Sequence, residues 1–441
     1  MTALHGRPLL RLVHATVGVA LWMLATAGAE AAPLAHREVL DNGAVLLVAE
    51  RPAIPIVVVR LSVRAGAAFD PPDGAGLANL TADLLTRGTA KRTGPELDRA
   101  IEFVGGSLEG EAGHDGATIS LSVLKKDLAL GLDLLAEVLL QPAFPPAELA
   151  RRSEDIAAYI LRSEQDPGTV TSKAMAELLY PGHPYRRPVS GTAESVRRIT
   201  REQVAAFHRD NYRPDGAVIS VVGDVTVDEI RRELMARLAG WSAPGPARPD
   251  IPMAPSSPPV EHRRITRALT QATVSLGRPA IRQDHPDYFP LVVANYILGG
   301  GSASRLYGRV REERGLAYSV YSFVSPARHG PAYFVGLQTR LEAVDEAVGL
   351  VKAEMARLGR EPVTARELGL AKSYLIGSYP LRTDTSGKMA GLLTAIEENQ
   401  LGLDWPDRFK AGVAKVTAAD VARVAAIYFD PAIFSSVVVG K

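Results

Sequence analysis

The sequence predicts an α+β protein made of two homologous domains, each a mainly antiparallel sheet with helices packed on one face. Three observations support this prediction. Short apolar strands interleave with helices that have a single apolar face, one pattern of caps and turns occurs twice, and a proline-rich segment separates the two copies. We expect the two domains to face each other around a cavity.

Hydrophobic periodicity places the main elements of the first domain. A nearly continuous apolar run predicts a strand over Ile54–Val63, and alternation predicts another over Ala117–Val123. Helices are predicted over Leu77–Arg87 and Leu128–Leu140, because their apolar residues recur with helical spacing.

The two halves of the chain end in the same pattern of helix, loop and apolar strand. Four pairs of identical residues are each separated by 217 positions: Thr200 and Thr417, Val204 and Val421, Pro214 and Pro431, Gly223 and Gly440. Each Thr is a candidate N-cap for an amphipathic helix. Matched caps, prolines and glycines at constant spacing indicate an internal duplication.

A linker separates the two copies. Eight residues between Ala243 and Pro259 are Pro or Gly, which prevents regular helix or strand. Its prolines make it semi-rigid.

The N-terminus has the three parts of a secretory signal peptide. Arg7 and Arg11 form a short positive region, an apolar run follows from Leu12 to about Ala27, and Ala29-Glu30-Ala31 is a cleavage site of the A-x-A type. The apolar run is short for a membrane anchor, which needs about 20 residues. We therefore expect an exported, periplasmic protein cleaved near Ala31, with no membrane span after cleavage.

These features divide the chain into four predicted segments: residues 1–31, a signal peptide; 32–242, the first domain; 243–259, the linker; and 260–441, the second domain.

Composition excludes several classes of protein. The 441 residues include 46% hydrophobic and 22% charged residues, which is ordinary for a folded protein. A formal net charge of +1 gives no basic field for nucleic acid. The chain has no Cys, which excludes disulfides, thiolate nucleophiles and Cys-ligated metals and leaves only His and carboxylates as metal ligands.

Several segments together resemble the pitrilysin/insulinase peptidases, a family of inverzincin metallopeptidases that includes the processing-peptidase subunits. The segments are Gly74–Arg92, Ile101–Glu111, His183–Tyr185 and Gly299–Ser322. The resemblance extends from about Arg37 to Gly440, and Gly299–Ser322 is its most specific part. It implies that the two domains form one half of a clam-shell.

Active members of that family bind zinc through H-x-x-E-H on the first helix, where residues i and i+4 share one face and the Glu activates a water. The resemblance places Asn79, Ala82 and Asp83 at these three positions and Tyr159 at the position of the third ligand, a Glu. All four residues differ from the family pattern. We therefore expect a degenerate site without metal or cofactor in this chain, with zinc on a partner chain.

The remaining histidines offer little as a replacement site, since no two are spaced i,i+3 or i,i+4. His114 and Asp115, close to Glu109 and Glu111, form one acidic cluster with a His in the first half. Such a cluster is either a solvated loop or a weak metal site.

The resemblance also implies that Arg311 and Tyr318 hold substrate. A helix is predicted over Ala303–Arg314, Gly315 is a candidate C-cap, and a strand follows. Spacing alone favours a different interpretation, in which Arg311 pairs with a surface Glu and Tyr318 packs its ring; the resemblance reverses this preference. The preceding Gly299–Gly301 lacks the pattern of a phosphate-binding loop and is predicted to be a turn that ends a helix.

The leading hypothesis is an exported, non-catalytic subunit of a heterodimeric zinc metallopeptidase that positions peptide for a homologous, zinc-bearing partner. A second hypothesis is a stand-alone peptide-binding or chaperone-like protein. A third is a metallopeptidase with a relocated or residual metal site.

Overall fold

Two β-sheets, one on either side of the proline-rich segment, organise the chain. The computed structural model describes residues 33–242 and 245–440, so the predicted signal peptide lies outside the described residues. The strands of the first sheet are β1 (His36–Val39), β2 (Val45–Glu50), β3 (Ile56–Val63), β4 (Ser107–Ala112), β5 (Ala117–Leu124) and β6 (Val218–Gly223). Those of the second sheet are β7 (His262–Ile265), β8 (Gln271–Pro279), β9 (Ala317–Ser325), β10 (Ala332–Arg340) and β11 (Ser435–Val439).

The two sheets share one strand order. The first runs β1-β2-β6-β3-β5-β4 and the second β7-β11-β8-β10-β9, so the second sheet repeats the first without β1. In both sheets one pair is parallel, β2 with β6 and β7 with β11, and the other pairs are antiparallel. This topology confirms the predicted α+β fold of two homologous, mainly antiparallel sheets.

Helices connect the strands in each half. Those of the first half are α1 (Leu77–Leu84), α2 (Gly94–Phe103), α3 (Leu128–Leu140), α4 (Pro146–Ser163), α5 (Pro167–Leu179), α6 (Ala193–Arg198), α7 (Arg201–Asn211) and α8 (Val227–Arg237). Those of the second half are α9 (Tyr288–Gly299), a π-helix (Tyr307–Glu313), α10 (Val344–Arg360), α11 (Ala365–Gly377), α12 (Ser386–Glu398), α13 (Trp405–Lys415) and α14 (Ala418–Tyr428). Thr200 and Thr417 cap α7 and α14, as the duplication predicted.

The predicted helix over Leu77–Arg87 ends three residues early. The N–H groups of Leu85 and Arg87 bond to carbonyls three residues back instead of four, which tightens the last turn. Gly88 then leaves the helix with φ 145° and forms an isolated bridge with Thr93. The helix predicted over Leu128–Leu140 has the predicted limits.

Each half contributes one helix to the sheet of the other half. Along β3, Val57, Val59 and Leu61 are buried in the core of the first half. Ser62 faces the opposite side and donates a 2.5 Å hydrogen bond to Glu398 of α12. Helix α12 therefore covers the face of the first sheet that the helices of its own half leave open.

The reciprocal contact is made by α5, which packs on β8 and β11 of the second sheet. Gly277 permits this approach, because a Cβ there would lie 2.7 Å from the sulfur of Met175. Just beyond α5, the Tyr180 hydroxyl donates to the carbonyl of Gly330 at 2.7 Å. Within each half, helices pack on one face of the sheet, as predicted. The other face of each sheet is covered by a helix that belongs to the other half.

Within residues 33–242 and 245–440, no helix combines the length and apolar character that crossing a membrane requires.

Gly110 allows edge strand β4 to lie directly against α1. A Cβ at this position would come within 2.2 Å of the carbonyl oxygen of Ala82. We expect Gly110→Ala to lower the free energy of unfolding by about 1–3 kcal/mol, because the backbone of α1 cannot yield without repacking. Urea unfolding measures this change. Gly113→Ala is the matched control, since a Cβ there meets only the Gly116 carbonyl oxygen, at 3.8 Å. Equal stability of the two variants would show that the contact is not tight.

Candidate functional site

Helix α1 carries Asn79, Ala82 and Asp83, which the resemblance places at three of the four metal-binding positions. Its buried face consists mainly of Leu77, Leu80 and Leu84. Its N-terminus is held by Asp70, whose carboxylate accepts hydrogen bonds from the N–H groups of Gly76 at 2.9 Å and Ala78 at 2.8 Å. Burial raises the pKa of Asp70 to about 6, although these two donors act in the opposite direction.

Asp83, at the second histidine position, is held by Arg152 of α4. Two parallel hydrogen bonds, each 2.6 Å, join the guanidinium to the carboxylate. Asp83 is the largest cause of the raised pKa of Arg152. Bidentate pairs of this kind are among the strongest polar contacts in proteins. The guanidinium of Arg152 therefore binds the Asp83 carboxylate, which a metal ion at this position would need as a ligand.

The other positions do not supply a metal site either. Ala82 is fully buried and has no group to act as a base. Asn79 is half-buried on the same helix. Tyr159 is 61% exposed, and its neutral phenol is a poor substitute for a carboxylate ligand. The residues present thus do not fit zinc, and an ion pair instead of a metal links α1 to α4.

Tyr159 opens onto a cavity of about 520 Å³ beside the first turns of α5. The cavity also contacts His114, Tyr185 and Arg187. The third-ligand position therefore faces open space, but Arg152, two turns earlier on the same helix, makes the contact with Asp83.

The acidic cluster around His114 does not converge on one point. Glu111 pairs with Arg60 at 3.1 Å, and Asp115 accepts 2.6 Å hydrogen bonds from the Tyr185 hydroxyl. His114 stacks on the ring of Tyr185, with centroids 4.5 Å apart. In the described part of the chain, no group of three or more His, Asp or Glu side chains is arranged to hold a metal ion.

Asp115 instead belongs to a junction between the two halves. His329, from the loop between β9 and β10, lies 2.8 Å from its carboxylate through Nδ1. Burial opposes the charge on Asp115, but the hydrogen bonds from His329 and Tyr185 outweigh it, so the pKa of Asp115 lies below its usual value. His183 lies 2.9 Å from the carbonyl oxygen of Pro252, and burial lowers the pKa of His183. The His183–Tyr185 segment thus ties the linker and the second half to the first.

Arg311 and Tyr318 lie together at the edge of the second sheet. Arg311 is in the π-helix, where an α-helix was predicted, and Gly315 ends this helix with φ +58°, as expected of a C-cap. The Arg311 guanidinium carbon lies 5.4 Å from the centre of the Tyr318 ring and 4.7 Å from that of Tyr307. These distances are typical of cation–π contacts.

Arg311 differs from the arginines around it. Arg309 pairs with Glu313 at 2.6 Å and Arg314 with Glu346 at 2.5 Å. Among residues 33–242 and 245–440, no carboxylate lies within 4 Å of the Arg311 guanidinium. Its N–H donors therefore remain available to a ligand.

A β-bulge turns Tyr318 towards solvent. Strand β9 pairs Ser319 with Gln338 and then Ala317 with Thr339, so Tyr318 is the extra residue. Simple alternation would place Tyr318 on the same face as the buried Val320, whereas it is 77% exposed. Tyr321 and Phe323 are also exposed, so β9 carries a row of three accessible aromatic rings.

Two of these rings, Tyr321 and Phe323, border a groove of about 330 Å³ between β9 and α5. Tyr321 and Phe323 line one wall, and Thr171, Ser172 and Met175 of α5 line another. The residues Gly168, Ser172 and Ala176 also line the cavity next to Tyr159. The aromatic groove and the cavity next to Tyr159 thus lie on two sides of this row of α5 residues.

The glycine triplet ends α9, as predicted. Gly300 and Gly301 lie against the ring of Tyr296, which in turn stacks on Tyr374 with centroids 4.6 Å apart.

Arg152 is the site residue that sequence reasoning missed. It precedes Tyr159 by seven residues, and residues two turns apart lie on one helix face. That spacing could have drawn attention to it. The choice of Asp83 as its partner, 69 positions away, has no signal in the sequence.

Known protein families match both halves. Residues 45–193 match the family described as insulinase (peptidase family M16), and residues 198–375 match the peptidase M16 inactive domain. An uncharacterized zinc protease of Mycobacterium tuberculosis H37Rv is 30% identical over 368 residues, or 82% of this chain and 84% of that protein. A non-peptidase homolog of Helicobacter pylori is 27% identical over 362 residues, or 81% of this chain and 83% of that protein.

A solved structure agrees with these matches. The crystal structure of a peptidase M16 inactive domain from Pseudomonas fluorescens is 29% identical, with a TM-score of 0.87 over 92% of this chain and 98% of that one.

We expect zinc ligands introduced at the positions of Asn79, Asp83 and Tyr159 to bind the metal only when Arg152 is also replaced. Introducing the three ligands as Asn79→His, Asp83→His and Tyr159→Glu should give little zinc, because the positive charge of Arg152 remains beside the site. Adding Arg152→Ala should raise the content to about one zinc ion per chain, since three ligands and a water complete a tetrahedral site. Elemental analysis after dialysis measures both variants. Equal zinc in the two would refute the proposed effect of Arg152, and Arg151→Ala in place of Arg152→Ala is the control.

Proposed function

The chain belongs to the insulinase family of M16 peptidases, and we propose that it is a non-catalytic subunit that binds peptide for a zinc-bearing partner. One observation carries this proposal. Asp83, at an expected metal-ligand position, is held by Arg152, whereas Arg311 and Tyr318 lie together and present accessible donors.

The chemistry of Arg311 and Tyr318 suits a peptide ligand. A guanidinium and a phenol both donate hydrogen bonds, and a peptide carbonyl is an acceptor. Stacking on Tyr307 and Tyr318 orients the guanidinium, which reduces the entropy lost when it binds.

Strand β9 offers the backbone half of such an interaction. It is the last strand of the second sheet, so one row of its N–H and C=O groups is open to an added strand. A peptide paired with this edge would run past Tyr318 and Arg311. Its side chains would meet Tyr321 and Phe323, which favours peptides with apolar residues.

Hydrolysis in this proposal takes place on the partner. We propose a homologous subunit that carries H-x-x-E-H and zinc, with a substrate chamber between the two chains. The name of the Helicobacter pylori relative, a non-peptidase homolog, is in keeping with a chain that does not itself cut peptides.

A stand-alone peptide-binding or chaperone-like protein is the second candidate. The aromatic groove between β9 and α5 supports it, because this groove needs no partner to be complete. The two candidates differ in whether a zinc-bearing homologue co-purifies with the chain and gains activity from it.

We also propose that the protein is exported to the periplasm. The support is the signal-peptide pattern of residues 1–31. N-terminal sequencing of the protein from the periplasmic fraction should begin at Ala32. An intact Met1 in that fraction would contradict cleavage.

The role of Arg311 and Tyr318 can be tested in the reconstituted pair. We expect Arg311→Ala with Tyr318→Phe to lower kcat/KM for peptide hydrolysis by about 10- to 100-fold, because donors to the substrate are lost. The control is Arg314→Ala with Tyr374→Phe, which removes the same two groups from nearby exposed positions.

Partner binding and thermal stability should be unchanged in both double variants. If the Arg311/Tyr318 variant assembles normally and cuts peptide as fast as the wild type, the assigned role is wrong.

A further inference from the structure

A third cavity, of about 380 Å³, lies between the two halves and does not include Arg311 or Tyr318. The first half contributes the ends of β2, β3 and β6 and the turn before β5. The second half contributes the loop between β9 and β10 and the C-terminal end of α12. This volume is at the small end of the range for small-molecule sites.

Two arginines without carboxylate partners line this cavity. Arg64 and Arg328 are both half-buried, and within the described residues neither has a carboxylate oxygen within 4 Å of its guanidinium. Arg37, close to the same cavity, shows the usual arrangement, because it forms two 2.8 Å hydrogen bonds with Glu397. Half-buried guanidinium groups with free N–H donors favour a carboxylate ligand.

Three carboxylates line the cavity as well, and two of them are already engaged. Asp115 accepts from Tyr185 and contacts His329, and Glu397 is held by Arg37. Within residues 33–242 and 245–440, Glu398 has one hydrogen-bond partner, the Ser62 hydroxyl, which donates to its Oε1 at 2.5 Å.

Glu398 and Arg328 both line this cavity. Burial raises the pKa of Glu398, and the hydrogen bond from Ser62 and the charge of Arg328 act in the opposite direction. They nevertheless form no ion pair within 4 Å. The space between opposite charges can therefore be bridged by a molecule that carries both.

We propose that this cavity binds a small zwitterion, a dipeptide or an amino acid with free ends, whose carboxylate contacts Arg64 and Arg328 and whose ammonium contacts Glu398. A simple anion would meet three carboxylates, and a simple cation would meet two unpaired arginines. Only a ligand with separated charges satisfies both sets of groups. The site would recognise the products of peptide cleavage rather than the substrate.

Calorimetric titration of the mature chain with L-alanyl-L-alanine near neutral pH tests the proposal. We expect saturable binding, and at least about tenfold weaker binding for the N-acetylated and the C-amidated dipeptide, since each loses one charged contact. Blocked dipeptides that bind as tightly as the free one would overturn the proposal, as would the absence of binding to the free dipeptide.

Variants locate the ligand within the molecule. Arg328→Gln and Glu398→Gln should each weaken binding by about tenfold or more, because each removes one charge. Glu398→Gln keeps an acceptor for Ser62, and thermal melting checks that both variants fold. Arg366→Gln, at an exposed arginine of α11, is the control and should bind normally.

The test is independent of the function proposed above. Arg311→Ala with Tyr318→Phe should leave dipeptide binding unchanged, and loss of binding in that variant would place the ligand at the other site and overturn the inference. An unchanged affinity of both Arg328→Gln and Glu398→Gln for the dipeptide would also overturn the inference.

Discussion

Each sheet of this protein has two faces to cover, and the helices of its own half cover only one. Helix α12 lies on the first sheet and α5 on the second, so each half completes the other. Buried polar contacts fix this exchange, including the 2.9 Å hydrogen bond between Ser220 and Thr394. Because each half covers the open sheet face of the other, the two halves form one compact unit. Residues of both halves can therefore line the same binding site.

The exchange of helices also decides where ligands can bind. Helix α5 separates the aromatic groove on the second sheet from the cavity beside Tyr159. The end of α12 brings Glu398 to the cavity that contains Arg64 and Arg328. The Asp115–His329 contact closes the junction next to that cavity. The proposed peptide site and the proposed product site would thus both depend on the packing of α5 and α12 against the sheet of the other half.

The residues at the four expected metal-binding positions matter for the structure as well as for the chemistry. In a zinc site the metal joins the two helices that carry its ligands. Here a bidentate ion pair between Asp83 and Arg152 joins α1 to α4, and the Asp83 side chain is about four-fifths buried. A partly buried pair with good geometry can hold two helices, but it offers no open coordination position for a substrate oxygen. A metal at this position is therefore not needed to hold α1 against α4.

The sequence by itself determined the elements and their repetition, because helix caps, proline positions and hydrophobic periodicity are local properties of the chain. Through the family resemblance it also predicted that Asn79, Asp83 and Tyr159 stand at the ligand positions, and these residue types do not make a usual zinc site. Only the tertiary structure decided that Arg152 holds Asp83, that a bulge turns Tyr318 outwards and that Arg64 and Arg328 line one cavity. These contacts join residues far apart in the chain or depend on strand register, and no local pattern encodes either.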